Sequence, residues 1–229
     1  PYAFHSSARL RPPVGIRWLA GLWLLLALRL TLPVNGELVL SNFSTAKPMK
    51  IMPIGDSITD DCAYNGAWRA PLQPLLDTNG FAFTNVGRLL SGAATGFTKR
   101  RHEGYCGSVI AYPGVFGPVY NYASQSNYLV RIVQDALALT NNRPDLVLVL
   151  IGANDIGRGR NPYRVATNDM PNLLDVIFSN APNANVLLAK PTLLLNATIG
   201  SYGAYATNVP IYNAALQAMA NQRRTLGQH

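Results

Sequence analysis

Ser57 is the residue from which chemistry can be read in this chain. It closes Met49-Lys-Ile-Met-Pro-Ile-Gly-Asp-Ser-Ile-Thr59, where an apolar run ends in glycine and a serine follows two residues later. Open α/β sheets place their ligand crevices beyond the carboxyl ends of their strands. A serine there is either an exposed nucleophile on a tight strand-to-helix turn or a cap of the helix that follows. The pattern recurs twice: Phe81–Val86 runs into Gly87-Arg88, and Asp145–Ile151 runs into Gly152-Ala-Asn-Asp155. Ester hydrolysis by serine needs a base, and its tetrahedral oxyanion needs preorganised donors. The N–H of Ser57, the N–H of Gly87 and the side-chain amide of Asn154 would provide three. Glycine at position 87 would let a substrate carbonyl come close to the backbone.

The elements that must position these residues alternate. Met49–Ile54 reads as the first strand and Ala67–Asp77 as a helix, with Leu72, Leu75 and Leu76 at helical spacing. Phe81–Val86 is the second strand. Tyr128–Thr140 is an amphipathic helix, and Asp145–Ile151, a continuous apolar run, is a strand buried on both faces of a parallel sheet. Asp169–Asn180 is a helix, Asn185–Lys190 a strand and Asn208–Leu226 a last helix. Four strands alternating with helices imply βαβ units and a parallel sheet covered by helices. Between the second strand and the next helix, Leu89–Ala123 is glycine-rich with little periodicity and reads as a functional loop. It carries His102-Glu103-Gly104-Tyr105-Cys106-Gly107 and the tyrosines Tyr112, Tyr120 and Tyr122, which suit either minor core anchoring or stacking on sugar rings.

Residues 1–36 read as a leader rather than as part of the fold. Arg9, Arg11 and Arg17 precede Trp18–Leu28, eleven residues without a charge, which is the pattern of a secretory signal peptide. The apolar run is short for a membrane span and Arg29 interrupts it; an uncleaved signal anchor is the alternative. The chain opens on Pro1, so its start reads as incomplete or processed. Residues 37–48 form a linker, and residues 49–229 a single domain. Taking away the leader's four arginines leaves 15 basic and 11 acidic residues, so the net charge falls from +8 to +4. Lys99-Arg100-Arg101 is then the densest basic cluster, too little for a nucleic-acid partner. The sequons Asn42-Phe-Ser44 and Asn196-Ala-Thr198 suit glycosylation on a secretory route. Two cysteines and one mid-chain histidine do not make a metal-ligand set, and no cofactor is expected.

Gly55-Asp-Ser-Ile-Thr59, Gly87 and Gly152-Ala-Asn-Asp155 resemble the first three blocks of the SGNH (GDSL) hydrolases. That resemblance implies a three-layer α/β/α sandwich with a parallel, flavodoxin-like sheet. It also implies Ser57 as nucleophile, with Gly87 and Asn154 completing the oxyanion hole. The similarity is greatest to the branch of carbohydrate esterases that includes acetylxylan esterases, through Ile51–Thr59 and His102-Glu-Gly104. The family's fourth block, Asp-x-x-His, has no counterpart here. The histidines are His5, His102 and His229, so the orienting acid and base are expected beyond residue 229, with the last strand and its helix.

The resulting expectation is a secreted, monomeric serine esterase acting on acetylated polysaccharide or oligosaccharide, meeting a membrane only if the leader is uncleaved. His102, Glu103 and Asp56 are expected at the substrate pocket, with His102 as base a minor alternative. Asp60 and Asp61 are candidate caps of the next helix. Cys62 and Cys106 are expected to form a disulfide tethering the His-Glu-Gly loop to the nucleophile turn. The competing readings are a GDSL lipase or thioesterase acting on longer acyl esters, and a carbohydrate-binding relative that has lost catalysis.

Overall fold

A computed structural model describes residues 43–63, 65–111, 128–192 and 205–228. The chain divides into two units, Pro1–Val34 and Asn35–His229, and every described residue belongs to the second. The expected leader, Asn42, Asn196 and the three loop tyrosines lie outside the described residues.

The sheet is built around β1, Met49–Gly55. Its apolar run is buried almost throughout, and side chains alternate across the sheet: Met52 and Ile54 enter the main hydrophobic core, while Met49 and Ile51 do not. A four-residue helix, α1 (Ser57–Asp60), follows at once. Next come α2 (Arg69–Thr78) and β2 (Phe83–Asn85). β2 runs parallel to the first half of β1, with Met49 opposite Phe83 and Ile51 opposite Asn85.

The segment expected to be an aperiodic loop contains two strands, β3 (Leu89–Leu90) and β4 (Arg101–Gly104). They pair antiparallel, and β4 then runs parallel to the second half of β1, with Gly55 opposite Gly104. Thus β2 and β4 share one edge of β1 in succession. Val86 N–H donates to Ile51 O and Tyr105 N–H to Gly55 O, both on that edge. Pro53 has the same parity, so its missing N–H falls where β2 leaves and β4 joins, the place where a ladder tolerates proline.

On the other edge of β1 lies β5 (Leu146–Leu150), paired parallel from Ile51–Leu146 to Gly55–Leu150. β6 (Asn185–Leu188) pairs parallel with β5. The remaining helices are α3 (Leu129–Leu137), α4 (Ala153–Gly157), α5 (Pro162–Arg164), α6 (Met170–Asn180) and α7 (Tyr205–Thr225). A π-helical turn, Val165–Asp169, joins α5 to α6. α3, α6 and α7 pack their apolar faces into one core with Met52, Ile54, Val147 and Val149. α7 begins a turn before the Asn208 expected, despite Pro210, because Tyr205 and Val209 are buried in that core. The result is an open, mostly parallel α/β sheet of six strands, where four were expected.

Candidate active site

The carboxyl end of β1 is where three elements converge. Gly55 is level with Leu150 of β5 on one side and Gly104 of β4 on the other. α1 leaves from this point, and its cap is Asp56, whose Oδ1 accepts from Ile58 N–H at 2.9 Å. Asp56 O accepts from Thr59 and Asp60 N–H. These bonds use the first-turn donors except that of Ser57. The capping role is therefore taken by Asp56, and among the described residues the hydroxyl and N–H of half-buried Ser57 have no hydrogen-bond partner.

Asp56 itself is fully buried. Burial pushes its carboxyl from 3.8 up to about 7, and its second oxygen finds no partner among the described residues. It holds the nucleophile turn from beneath and has no surface to offer a substrate.

On the β5 side, three residues past Ile151, α4 carries Asn154 at 3% exposure. Its side-chain amide donates to Ser108 O at 2.9 Å, which ties α4 to the turn beyond β4. Asp155 beside it is buried and bonded to Ile110 N–H and to Arg160, which in turn pairs with Asp169. Burial raises Asp155 to about 7 in spite of the Arg160 charge.

On the β4 side the structure places a different glycine from the one the sequence suggested. Gly87 follows β2, which has already left β1 below its end. Its φ is +140°, and a Cβ there would lie 2.5 Å from the carbonyl of His102. Gly87 is glycine because β4's backbone crosses it. The residues that reach the end of β1 are Gly104 to Ser108. Gly104 N–H donates to His102 Nδ1 at 3.0 Å, Tyr105 N–H to Gly55 O and Ser108 N–H to Tyr105 O. Gly107, at φ +77°, sits at the third position of this tight turn, and its N–H has no acceptor among the described residues. The local signal is Tyr105-Cys-Gly-Ser108, a turn sequence, but the Arg-His-Glu-Gly of β4 before it carries no strand pattern.

His102 and Glu103, expected at the substrate pocket, are both fully buried. His102 Nδ1 accepts from Gly104, so Nε2 carries the proton and donates to Ser91 Oγ at 2.7 Å. Ser91 Oγ donates to Asp60 Oδ1 at 2.9 Å. Burial, assisted by the Arg69 charge, lowers His102 from 6.5 to about 3, so the ring is neutral and spent on scaffolding rather than poised as a base. Glu103 accepts from Arg88 N–H at 2.6 Å, from the Arg88 guanidinium and from Tyr105 OH at 2.8 Å. Both residues stand behind the site.

Arg69 is 1% exposed, with no place on the surface. Its guanidinium donates to Thr59 O at 2.7 Å, Arg100 O at 2.9 Å and Ser91 Oγ at 3.2 Å, joining α1 to the β3–β4 hairpin. Asp61, not Asp60, caps the next turn, accepting from Asn65 and Ala67 N–H. Cys62 and Cys106 form a disulfide, with Cα atoms 5.6 Å apart and a sequence separation of 44.

An open, mostly parallel sheet whose central strand ends in a serine with no hydrogen bond among the described residues, near a glycine turn and a buried asparagine, has the parts that strand-end acyl transfer would use. The chain belongs to the GDSL-like lipase/acylhydrolase family, which it matches over residues 54–226. It is similar to a family 3 carbohydrate esterase of Clostridium thermocellum, at 26% identity and a TM-score of 0.61, over 80% of this chain and 75% of that one. A family 3 carbohydrate esterase of Talaromyces cellulolyticus shares the fold at 20% identity and a TM-score of 0.54, over 76% and 73% of the two chains. A multidomain esterase of Ruminococcus flavefaciens is 29% identical over 191 residues, 78% of this chain and 23% of that protein. The chain thus spans about a quarter of that curated relative's length.

Proposed function

We propose that this chain is a secreted serine esterase that removes acetyl groups from polysaccharide or oligosaccharide. The observation that carries this reading is Ser57, relieved of helix capping by Asp56 and left with hydroxyl and N–H uncommitted at the end of β1. Ser57 Oγ attacks the ester carbonyl while a base takes its proton. The carbonyl oxygen becomes an oxyanion, the sugar hydroxyl leaves protonated, and water releases acetate from the acyl-enzyme. The oxyanion donors in this reading are Ser57 N–H, the Asn154 amide and Gly107 N–H, with Gly107 in the role the sequence gave to Gly87.

The base is proposed to come from outside the described residues, since His102 is buried, neutral and bonded at both ring nitrogens. The carbohydrate part of the reading is supported by the Clostridium relative, and the acetyl part by the resemblance in Ile51–Thr59 and His102–Gly104. Secretion is supported by the basic, then apolar, pattern of residues 9–28. Among the described residues no helix is long and apolar enough to cross a membrane.

The test is full-length protein assayed on a chain-length series of p-nitrophenyl esters and on acetylated xylan. Acetyl should be the fastest acyl group and Ser57→Ala should lose about 10⁴-fold or more in kcat. Equal rates for Ser57→Ala and wild type would refute the nucleophile, and a preference for long acyl chains would refute the acetyl assignment.

A further inference from the structure

Two residues beside the candidate site are covalently joined across it. Cys62 lies five residues after Ser57, just past α1, and Cys106 immediately precedes Gly107. The backbone on the Cys62 side is held in an unfavourable shape: Asp61 and Cys62 are consecutive non-glycine residues in the left-handed region, at φ 62° and 43°. Such outliers persist only where the surroundings over-determine them. Here those surroundings are the crosslink and the Asp61 carboxylate, which accepts from Asn65 and Ala67 N–H.

Other ties cross the same seam at a lower level. Arg69 joins Thr59 and Asp60 to Ser91 and Arg100, and Asp60 reaches His102 through Ser91. These bonds anchor α1 and the β3–β4 hairpin without the disulfide, so the fold has independent support. Beyond Gly104, the Tyr105–Ser108 turn is tied to β1 by Tyr105 N–H on Gly55 O, to Glu103 by the Tyr105 hydroxyl, to α4 by Asn154, and to the Cys62 end of α1 by the disulfide.

We infer that the Cys62–Cys106 crosslink is a positioning device for catalysis: it fixes Gly107 N–H relative to Ser57, and its reduction lowers turnover while leaving the fold and substrate binding in place. This rests on the serine-esterase reading above, in which Gly107 and Ser57 both donate to the oxyanion. Cys62 is exposed, so a dithiol in solution can reach it. One thiolate of the dithiol attacks the Cys62 sulfur, breaking the S–S bond and releasing Cys106 as a thiol. The second thiol then displaces Cys62, so the protein gains two electrons and two protons and the dithiol leaves as its cyclic disulfide. Freed of the crosslink, Asp61 and Cys62 relax toward ordinary backbone and the turn carrying Gly107 shifts. An oxyanion donor displaced from its ideal position loses value only in the transition state, so kcat falls and KM does not.

The experiment compares full-length protein before and after dithiothreitol, with p-nitrophenyl acetate as substrate, free thiols titrated and far-ultraviolet circular dichroism recorded at the assay temperature. Reduction to two free thiols should lower kcat at least tenfold, with KM within twofold and the spectrum unchanged. Cys62→Ser/Cys106→Ser should match the reduced wild type and ignore reductant. An unchanged kcat in reduced, folded protein overturns the inference. So does a double variant as active as oxidised wild type, or loss of the folded spectrum on reduction, which would make the crosslink a staple of the fold alone. Ser57→Ala run in parallel separates the two readings. If oxidised wild type is no faster than Ser57→Ala, both fall; if it is much faster, only the crosslink's role is in question.

Discussion

At Ser57 a residue that favours helix caps is not the cap, because Asp56 precedes it and takes that role with its own Oδ1. The oxyanion donors proposed for Ser57 are its own N–H, the Asn154 amide and Gly107 N–H, and each can be tested by substitution. Asn154→Ala should lower kcat by about 10²–10³-fold, the usual loss for one oxyanion donor, with KM little changed in steady-state assays on p-nitrophenyl acetate. His102 is the residue with the clearest pH signature. Its folded value of about 3 lies below its ordinary 6.5. The unfolded chain therefore binds the proton more readily, and stability present above pH 6.5 is lost as pH falls from 6.5 toward 3. His102→Gln removes that titration. Its melting temperature should start lower at pH 7 because the Gly104 and Ser91 bonds are disturbed, yet fall less than wild type's between pH 6.5 and pH 4. Parallel melting curves across that range decide the point; equal slopes would mean His102 is not buried neutral.

At the scale of elements, the instructive pair is β2 and β4. The sequence showed β2 as an apolar run ending in Gly87, and a strand end with glycine is where an oxyanion donor belongs in an open sheet. β2 nevertheless pairs with only the first three residues of β1. The position beside Gly55 goes to β4, four residues of Arg-His-Glu-Gly whose charge and shortness hide a strand. The buried Glu103 is compatible with that strand because Arg88 and Tyr105 satisfy it, a tertiary fact that hydropathy cannot express. Gly87→Ala should accordingly act on the fold: a Cβ 2.5 Å from a backbone carbonyl, at positive φ, should cost about 3 kcal/mol or more in urea unfolding. A variant as stable as wild type but slow in kcat would instead return Gly87 to the catalytic set.

For the molecule as a whole, the disulfide closes a long segment that joins α1 to the turn after β4. Closing a loop of 44 residues constrains the unfolded chain, and the chain-entropy estimate for that length is about 4 kcal/mol. Cys62→Ala/Cys106→Ala should unfold at correspondingly lower urea concentration, measured at pH 7 without reductant, and an unchanged midpoint would contradict the estimate. The alternation of apolar runs by itself determined the open, mostly parallel α/β sheet, because each buried strand and amphipathic helix is encoded in a few adjacent residues. It also determined Ser57 and Asn154 as strand-end residues, while the even count of two cysteines suggested the Cys62–Cys106 pair. Only the tertiary structure decided that Asp56 caps α1, that His102, Glu103 and Arg69 are interior supports, and that the strand ending beside Gly55 is the one followed by Gly107 and not by Gly87. Those outcomes depend on which strand reaches the end of β1 and on which polar groups meet when it does. Such contacts join residues 30 to 50 positions apart, and no local pattern in the sequence records them.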